Sequence, residues 1–140
     1  MINQLSIFLE NSQGRLAHAT RILGDAGVNL LALSIADTAS YGVLRVIVSD
    51  PALAMQVLKK AGFTAHTTPV LAVLIPDHPG SLADLLALLR DGGVNVEYLY
   101  SFLLRNQNDP LMLLKVDMPE LACRILAQAG VRLLEHDDLA

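Results

Sequence analysis

The chain has 140 residues, 53% of them hydrophobic and only 17% charged, with a net charge of −4 and a pI near 5.4. That balance excludes a disordered chain and, lacking a basic excess, a binder of nucleic acid. The lone Cys123 cannot close an internal disulfide, no uncharged apolar run nears the roughly 18 residues of a membrane span, and MINQLSIFLENSQGRL lacks the basic and apolar regions of a secretion signal. A cytoplasmic protein with no membrane contact is the expectation.

In chain order, LSIFL (5–9) is a short apolar run that predicts a strand, ended by the polar turn ENSQG. Leu16, Ala19, Leu23 and Ala26 then recur at helical spacing, and Gly27 stands where a left-handed helix cap belongs. VNLLALSIA and YGVLRVIVS read as second and third strands. Pro51 opens a second helix, with Ala54, Val57, Leu58 and Ala61 on one stripe, and FTAHT closes with a strand. The series then repeats. VLAVLI is a strand, and Leu82, Leu85, Leu86 and Leu89 stripe a helix that ends at Gly93. VNVEYLYSFLL and PLMLLKVD are strands, Pro119 opens a helix with Ala122, Ile125, Leu126 and Ala129, and VRLLE closes. EHDD (135–138) reads as a solvated acidic tail.

The repetition survives subtraction. A shift of 66 residues puts Gly14 on Gly80, Leu16 on Leu82, Leu23 on Leu89, Gly27 on Gly93 and Asn29 on Asn95. Beyond residue 40 the shift becomes 68, pairing Pro51 with Pro119, Ala54 with Ala122, Leu58 with Leu126 and Gly62 with Gly130. The two extra residues are expected between ADTASYG and its longer counterpart LLRNQNDP, because loops tolerate insertion. Two βαββαβ units follow, which predicts an α+β fold: two tandem ferredoxin-like sandwiches, each an antiparallel sheet with helices on one face. The expected domains are residues 1–68 and 69–140. Strands such as LMLLKV do not alternate apolar with polar, so the helix-free face is expected to be covered as well, and a homodimer would do this.

Each unit places its first glycine in the turn from strand one into helix one, where free backbone N–H groups can hold a carboxylate or other small anion. Asn29 and Asn95 open the second strands, and an amide side chain both donates and accepts, which suits recognition of a free amino acid. Since strand three separates strands one and two, the loop of one unit meets the second strand of a neighbouring unit more readily than its own. The same residues also suit a plain structural role, glycine as cap and asparagine as turn residue.

The stretches NSQGRLAHATRILGDAGVN and DHPGSLADLLALLRDGGVN resemble the ACT domain, the small-molecule sensing module of amino-acid metabolism, over nearly the whole chain as two tandem copies. The resemblance implies a regulatory protein, not an enzyme, with no cofactor. It binds an amino acid or similar metabolite between paired ACT units, through the glycine loop of one and the early second strand of the other. The matching positions are Asn11, Gly14, Arg15, Leu16 and Asn29 in the first copy and Asp77, Gly80, Ser81, Leu82 and Asn95 in the second. Leu30, His78 and Val96, around the same loops, complete the candidate ligand-binding set. Serine-sensing members carry a histidine five residues before the loop glycine; Leu9 and Ile75 stand there, which points away from serine. Arg15 attracts a carboxylate where Ser81 does not, and Asp77 favours an ammonium where Asn11 is neutral, so the two sites are expected to be unequal.

Two other readings use the same residues. One is a ligand-free adaptor docked on an enzyme of amino-acid biosynthesis, similar to the small subunit of acetolactate synthase. The other is acylphosphatase-like chemistry through Arg15 and Asn29, opposed by Ser81 in the second copy. His18, His66, His78 and His136 show no metal-ligand spacing with one another or with Cys123. Tyr98, Tyr100 and Phe102 share one side of a strand and read as core or interface.

Overall fold

The computed structural model describes residues 1–37, 41–104 and 107–139. The expected two-residue insertion falls partly on residues 38–40 and 105–106, outside the described residues. The chain divides into two units, Asn3–Thr68 and Pro69–Leu139, the latter together with Met1–Ile2.

The first unit contains β1 (Ile2–Glu10), α1 (Arg15–Asp25), β2 (Leu30–Asp37), β3 (Tyr41–Val48), α2 (Pro51–Lys60) and the opening of β4 (Thr64–Leu74). Its strand order is β2-β3-β1-β4, the antiparallel arrangement of a ferredoxin-like sandwich. In the β1–β3 register Leu5 faces Val46 and Ile7 faces Leu44, so these side chains project from one side of the sheet. There they meet Ala19 and Leu23 of α1 and Ala54 and Leu58 of α2, all fully buried or nearly so. Removing a leucine of this kind from water contributes about 1.5–3 kcal/mol.

The second unit repeats the scheme with the remainder of β4, α3 (Ser81–Asp91), β5 (Val96–Leu103), β6 (Pro110–Val116), α4 (Pro119–Gln128) and β7 (Arg132–Leu134). Here β7 pairs with β4, which pairs with β6, which pairs with β5. Leu85 and Leu89 of α3 and Ala122 and Leu126 of α4 close over Leu71, Val73, Met112 and Leu114. Cys123 packs at the margin of this core, and burial pushes its thiol pKa above the ordinary value. Apolar residues on both sides of β6 are matched by burial on both: Leu111 and Leu113, which alternate with the core residues, are also inaccessible.

All four long helices end alike. Gly27, Gly62, Gly93 and Gly130 have φ between 77° and 87°, and the next residue's N–H returns to a carbonyl near the helix end. Val28 bonds to Leu23, Phe63 to Leu58, Val94 to Leu89 and Val131 to Leu126. This is the Schellman arrangement; a left-handed cap is expected from the sequence at Gly27 and Gly93, and Gly62 and Gly130 add it at the second helices.

Two expectations need correction and a third needs completing. FTAHT and VLAVLI are not separate strands, for β4 runs unbroken from Thr64 to Leu74 through the exposed Pro69. Proline's φ near −65° suits extended backbone, and the ring removes one N–H without ending the strand. The acidic residues Glu135, Asp137 and Asp138 are exposed, as expected, but the segment takes a regular form. His136–Leu139 forms a one-turn helix, α5, whose Leu139 is buried while the Asp138 carboxylate accepts the Glu135 N–H at 2.8 Å. Leu16 does not join the apolar stripe of α1 but lies 42% exposed, whereas its counterpart Leu82 packs against the second core.

Candidate functional site

The turn from β1 into α1 is shaped by Gly14, whose φ of 85° and ψ of −5° place it in the left-handed region at the helix N-cap. Gly80 repeats this before α3 with φ 90° and ψ −11°. A β-carbon at either position would meet nothing within 4 Å, so the backbone angle, and not crowding, calls for glycine. Neither helix has a side-chain N-cap. In the first turn of α1, Arg15 N–H reaches Ser12 O at 3.4 Å and His18 N–H closes on Gly14 O at 2.9 Å. The intervening N–H groups of Leu16 and Ala17 belong to the first turn, where no intrahelical acceptor exists. Leu82 and Ala83 occupy the same places between Ser81, whose N–H bonds His78 O, and Asp84, whose N–H bonds Gly80 O.

Asn11, Gly14, Arg15 and Leu16 therefore gather at the N-terminus of α1. Asn29 and Leu30 stand at the other end of that eleven-residue helix, about 16 Å away by its rise. Asp77, His78, Gly80, Ser81 and Leu82 are separated from Asn95 and Val96 in the same way by α3. Within one unit the loop residues and the asparagine do not meet. An acylphosphatase-like centre needs Arg15 and Asn29 together, and the first unit holds them apart.

The asparagine end is anchored through its backbone. Asn29 N–H donates to Ser49 Oγ at 2.9 Å, and Ser49 N–H returns to Asn29 O at 2.9 Å. Asn95 N–H donates to Asp117 Oδ1 at 2.9 Å, and Asp117 N–H returns to Asn95 O at 3.1 Å. Both asparagines are exposed. Leu30 and Val96 are half-buried and pack on their respective cores. Beside Asn95 lies a shallow depression of about 390 Å³ lined also by Arg90 and Leu86.

Each loop borders a pocket inside its own unit, and the two pockets are counterparts. The first, about 490 Å³, lies between the end of β1, the start of α1, the start of β3 and the α2–β4 turn. The second, also about 490 Å³, occupies the corresponding place between the end of β4, α3, the segment that leads into β6 and the α4–β7 turn. Where the first has Phe8, Arg15, Tyr41 and Phe63, the second has Leu74, Ser81, Asp109 and Val131. The Arg15 guanidinium lies 4.4 Å from the centre of the Phe63 ring, and His18 meets that ring edge-on at 5.4 Å. In the second unit Ser81, only 7% exposed, shares a 2.9 Å hydrogen bond with His78 Nδ1.

Of the lining residues, only Arg15, Ser81 and His78 were expected from the sequence. The aromatic trio was missed, although the shifts of 66 and 68 already set Phe8 against Leu74, Tyr41 against Asp109 and Phe63 against Val131. Among the described residues no group of three His, Cys, Asp or Glu is placed to hold a metal, and no helix is long and apolar enough to cross a membrane.

Comparison with known proteins agrees with the doubled architecture. The family model for the ACT domain pair matches residues 1–140. The crystal structure of protein BT0572 from Bacteroides thetaiotaomicron is 40% identical, with a TM-score of 0.93 over 99% of this chain and 94% of that one. The ligand-free regulatory subunit of aspartate kinase from Thermus thermophilus is 15% identical, with a TM-score of 0.64 over 91% of each chain. The corresponding subunit from Thermus flavus is 16% identical, with a TM-score of 0.61 over 91% of this chain and 92% of that one. No curated protein matches. The two Thermus likenesses concern the fold alone, whereas the family match spans both units with all four of their glycine-capped helices; the chain belongs to the ACT domain pair family.

Proposed function

We propose that the chain is a regulatory protein that binds a small molecule, an amino acid or a close relative, and acts in the cytoplasm without catalysis of its own. The observation that carries this reading is the doubled entrance to helix one. Twice, a left-handed glycine in open space starts a helix with no side-chain cap. Twice, an exposed asparagine is fixed by its backbone at the start of strand two. A carboxylate satisfies the first-turn N–H groups and interacts favourably with the helix dipole, while an asparagine side chain serves the polar remainder of the ligand. The contacts come from the glycine loop of one ACT unit and the early second strand of a unit paired with it: Asn11, Gly14, Arg15, Leu16, Asn29 and Leu30, or Asp77, His78, Gly80, Ser81, Leu82, Asn95 and Val96. A homodimer would bring further pairs together, and the regulated partner is an enzyme of amino-acid metabolism.

The test is a thermal-shift screen of the purified chain against the twenty amino acids and their keto-acid relatives. A ligand at one hundred times its Kd adds about 2.7 kcal/mol of stability, enough to raise the Tm of a small domain by several degrees. The reading expects a shift with one chemical group, reduced in Asn29→Ala or Asn95→Ala. No shift with any compound would discard it and leave the adaptor reading, which predicts a stable protein partner instead.

A further inference from the structure

We propose that the basic helix face of the first unit docks on the acidic end of the second unit in another copy of this chain, so that two copies associate through opposite charge. The charges are unevenly divided. The first unit carries five Lys and Arg against four Asp and Glu, the second five against ten. In the first unit four of the five cations, Arg15 and Arg21 of α1 and Lys59 and Lys60 of α2, belong to the helix layer, with His18 among them.

These groups converge on one end of the layer. Arg15 and His18 both reach the ring of Phe63, at 4.4 and 5.4 Å, and Phe63 stands three residues after Lys60. The start of α1 therefore lies beside the last turn of α2, where Lys59 and Lys60 are exposed. Arg21 has Asp25 at 3.8 Å, but among the described residues no carboxylate pairs with Arg15, Lys59 or Lys60. Lysines in a last turn suit the helix dipole, which gives them a local role. The same dipole disfavours a cation at the first position of α1, so Arg15 has no such reason to be there.

The second unit differs at every one of these places. The shifts of 66 and 68 set Ser81, Asp84, Ala87, Ala127 and Gln128 against Arg15, His18, Arg21, Lys59 and Lys60. Its own charge gathers near the start of α4. There β7 packs on α4 and leads into Glu135, while Glu120 lies in the first turn of α4. Burial raises the Cys123 thiol most, the Met1 ammonium opposes, and Glu135 and Glu120 both add to the rise, so these three charges stand near that one residue. Asp117 precedes α4, Asp137 and Asp138 follow Glu135, and all five carboxylates are exposed. The Met1 ammonium, 3.2 Å from Glu135, and Arg124 offset only part of them. Surfaces of opposite sign steer encounter and fix orientation. In a two-fold dimer each copy offers one of each, so the contact is made twice. The docking does not rest on the ligand-binding reading above, and its test alters no residue of that reading.

Sedimentation of the full chain over a concentration series, at about 20 mM and about 500 mM salt, tests it. The expected result is a dimer at low salt that dissociates at high salt. Lys59→Glu combined with Lys60→Glu should weaken association about tenfold or more, and so should Glu120→Lys combined with Asp137→Lys. An equimolar mixture of these two variants should associate more tightly than either alone. One contact in the mixed dimer is the original pair, and the other is the same pair with its signs exchanged. Circular dichroism checks that both variants fold. Where the lysine reversal disturbs α2, Lys59→Ala combined with Lys60→Gln takes its place, since these are the residues of the second unit, and it should still weaken the dimer. A chain that stays monomeric at low salt overturns the proposal. So does a dimer that neither salt nor the reversals weaken, and so does a mixture no tighter than its components. The thermal shift expected with an amino acid does not depend on any of these results, so the two readings fail separately.

Discussion

The two units of this chain share a backbone and disagree about what to hang on it. Left-handed glycines, helix-ending turns, buried leucines and the paired bonds at Asn29 and Asn95 recur position for position. The side chains around the loop do not: Arg15 answers to Ser81, Phe8 to Leu74 and Tyr41 to Asp109. Residues that set φ or fill the sheet–helix interior are interchangeable between units because both interiors pose the same packing problem. Residues at the pocket mouth face no such problem and have separated in charge and ring content. The contrast assigns the fold to the shared set and the chemistry of the pocket mouths to the divergent one.

Four measurements bear on that division. Leu23→Ala and Leu89→Ala remove pseudo-equivalent, fully buried side chains, and each should cost about 2–5 kcal/mol in denaturant unfolding. A large inequality between them would mean that the two interiors are not alike. Gly14→Ala and Gly80→Ala place a side chain at φ of 85° and 90° in open space, so each should cost about 1–2 kcal/mol through the backbone alone. The start of the second helix offers a smaller and directional difference. Asp50 caps α2 by accepting the Leu53 N–H at 3.0 Å, whereas the equivalent Met118 gives α4 no side-chain cap. Asp50→Ala should cost about 1 kcal/mol, and Met118→Asp, at an exposed position, should gain a similar or smaller amount. Smallest in free energy is the Cys123 thiol. Its raised pKa leaves less thiolate at pH 8 than a free cysteine has, so iodoacetamide should label it more slowly, and full denaturation should remove the lag.

The sequence carried the shared set almost completely. Glycines thirteen residues apart, prolines opening second helices and leucines at helical spacing each report a local constraint that a single chain can show. Less legible were features that depend on residues distant in sequence. Phe8, Tyr41 and Phe63 come from three different elements, and no spacing within one element brings them to a common pocket. The continuity of β4 past Pro69 was missed because proline usually marks a boundary, though extended backbone accommodates it. The turn at His136–Leu139 is too short to show a period, and its order comes from one buried leucine and one carboxylate bond.

The empty space around Gly14 and Gly80 bears on how such a module changes over generations. A β-carbon at either position would meet nothing within 4 Å beyond its own chain neighbours, so the rest of the unit sets no steric limit there. Substitutions at positions 11 and 15, or 77 and 81, can be tried one at a time against an unchanged loop. On the regulatory reading proposed above, a duplicated chain could explore a new ligand with one copy while the other kept the old one. The open glycine would then be a source of evolvability, fixing where a ligand is met and leaving open which ligand that is.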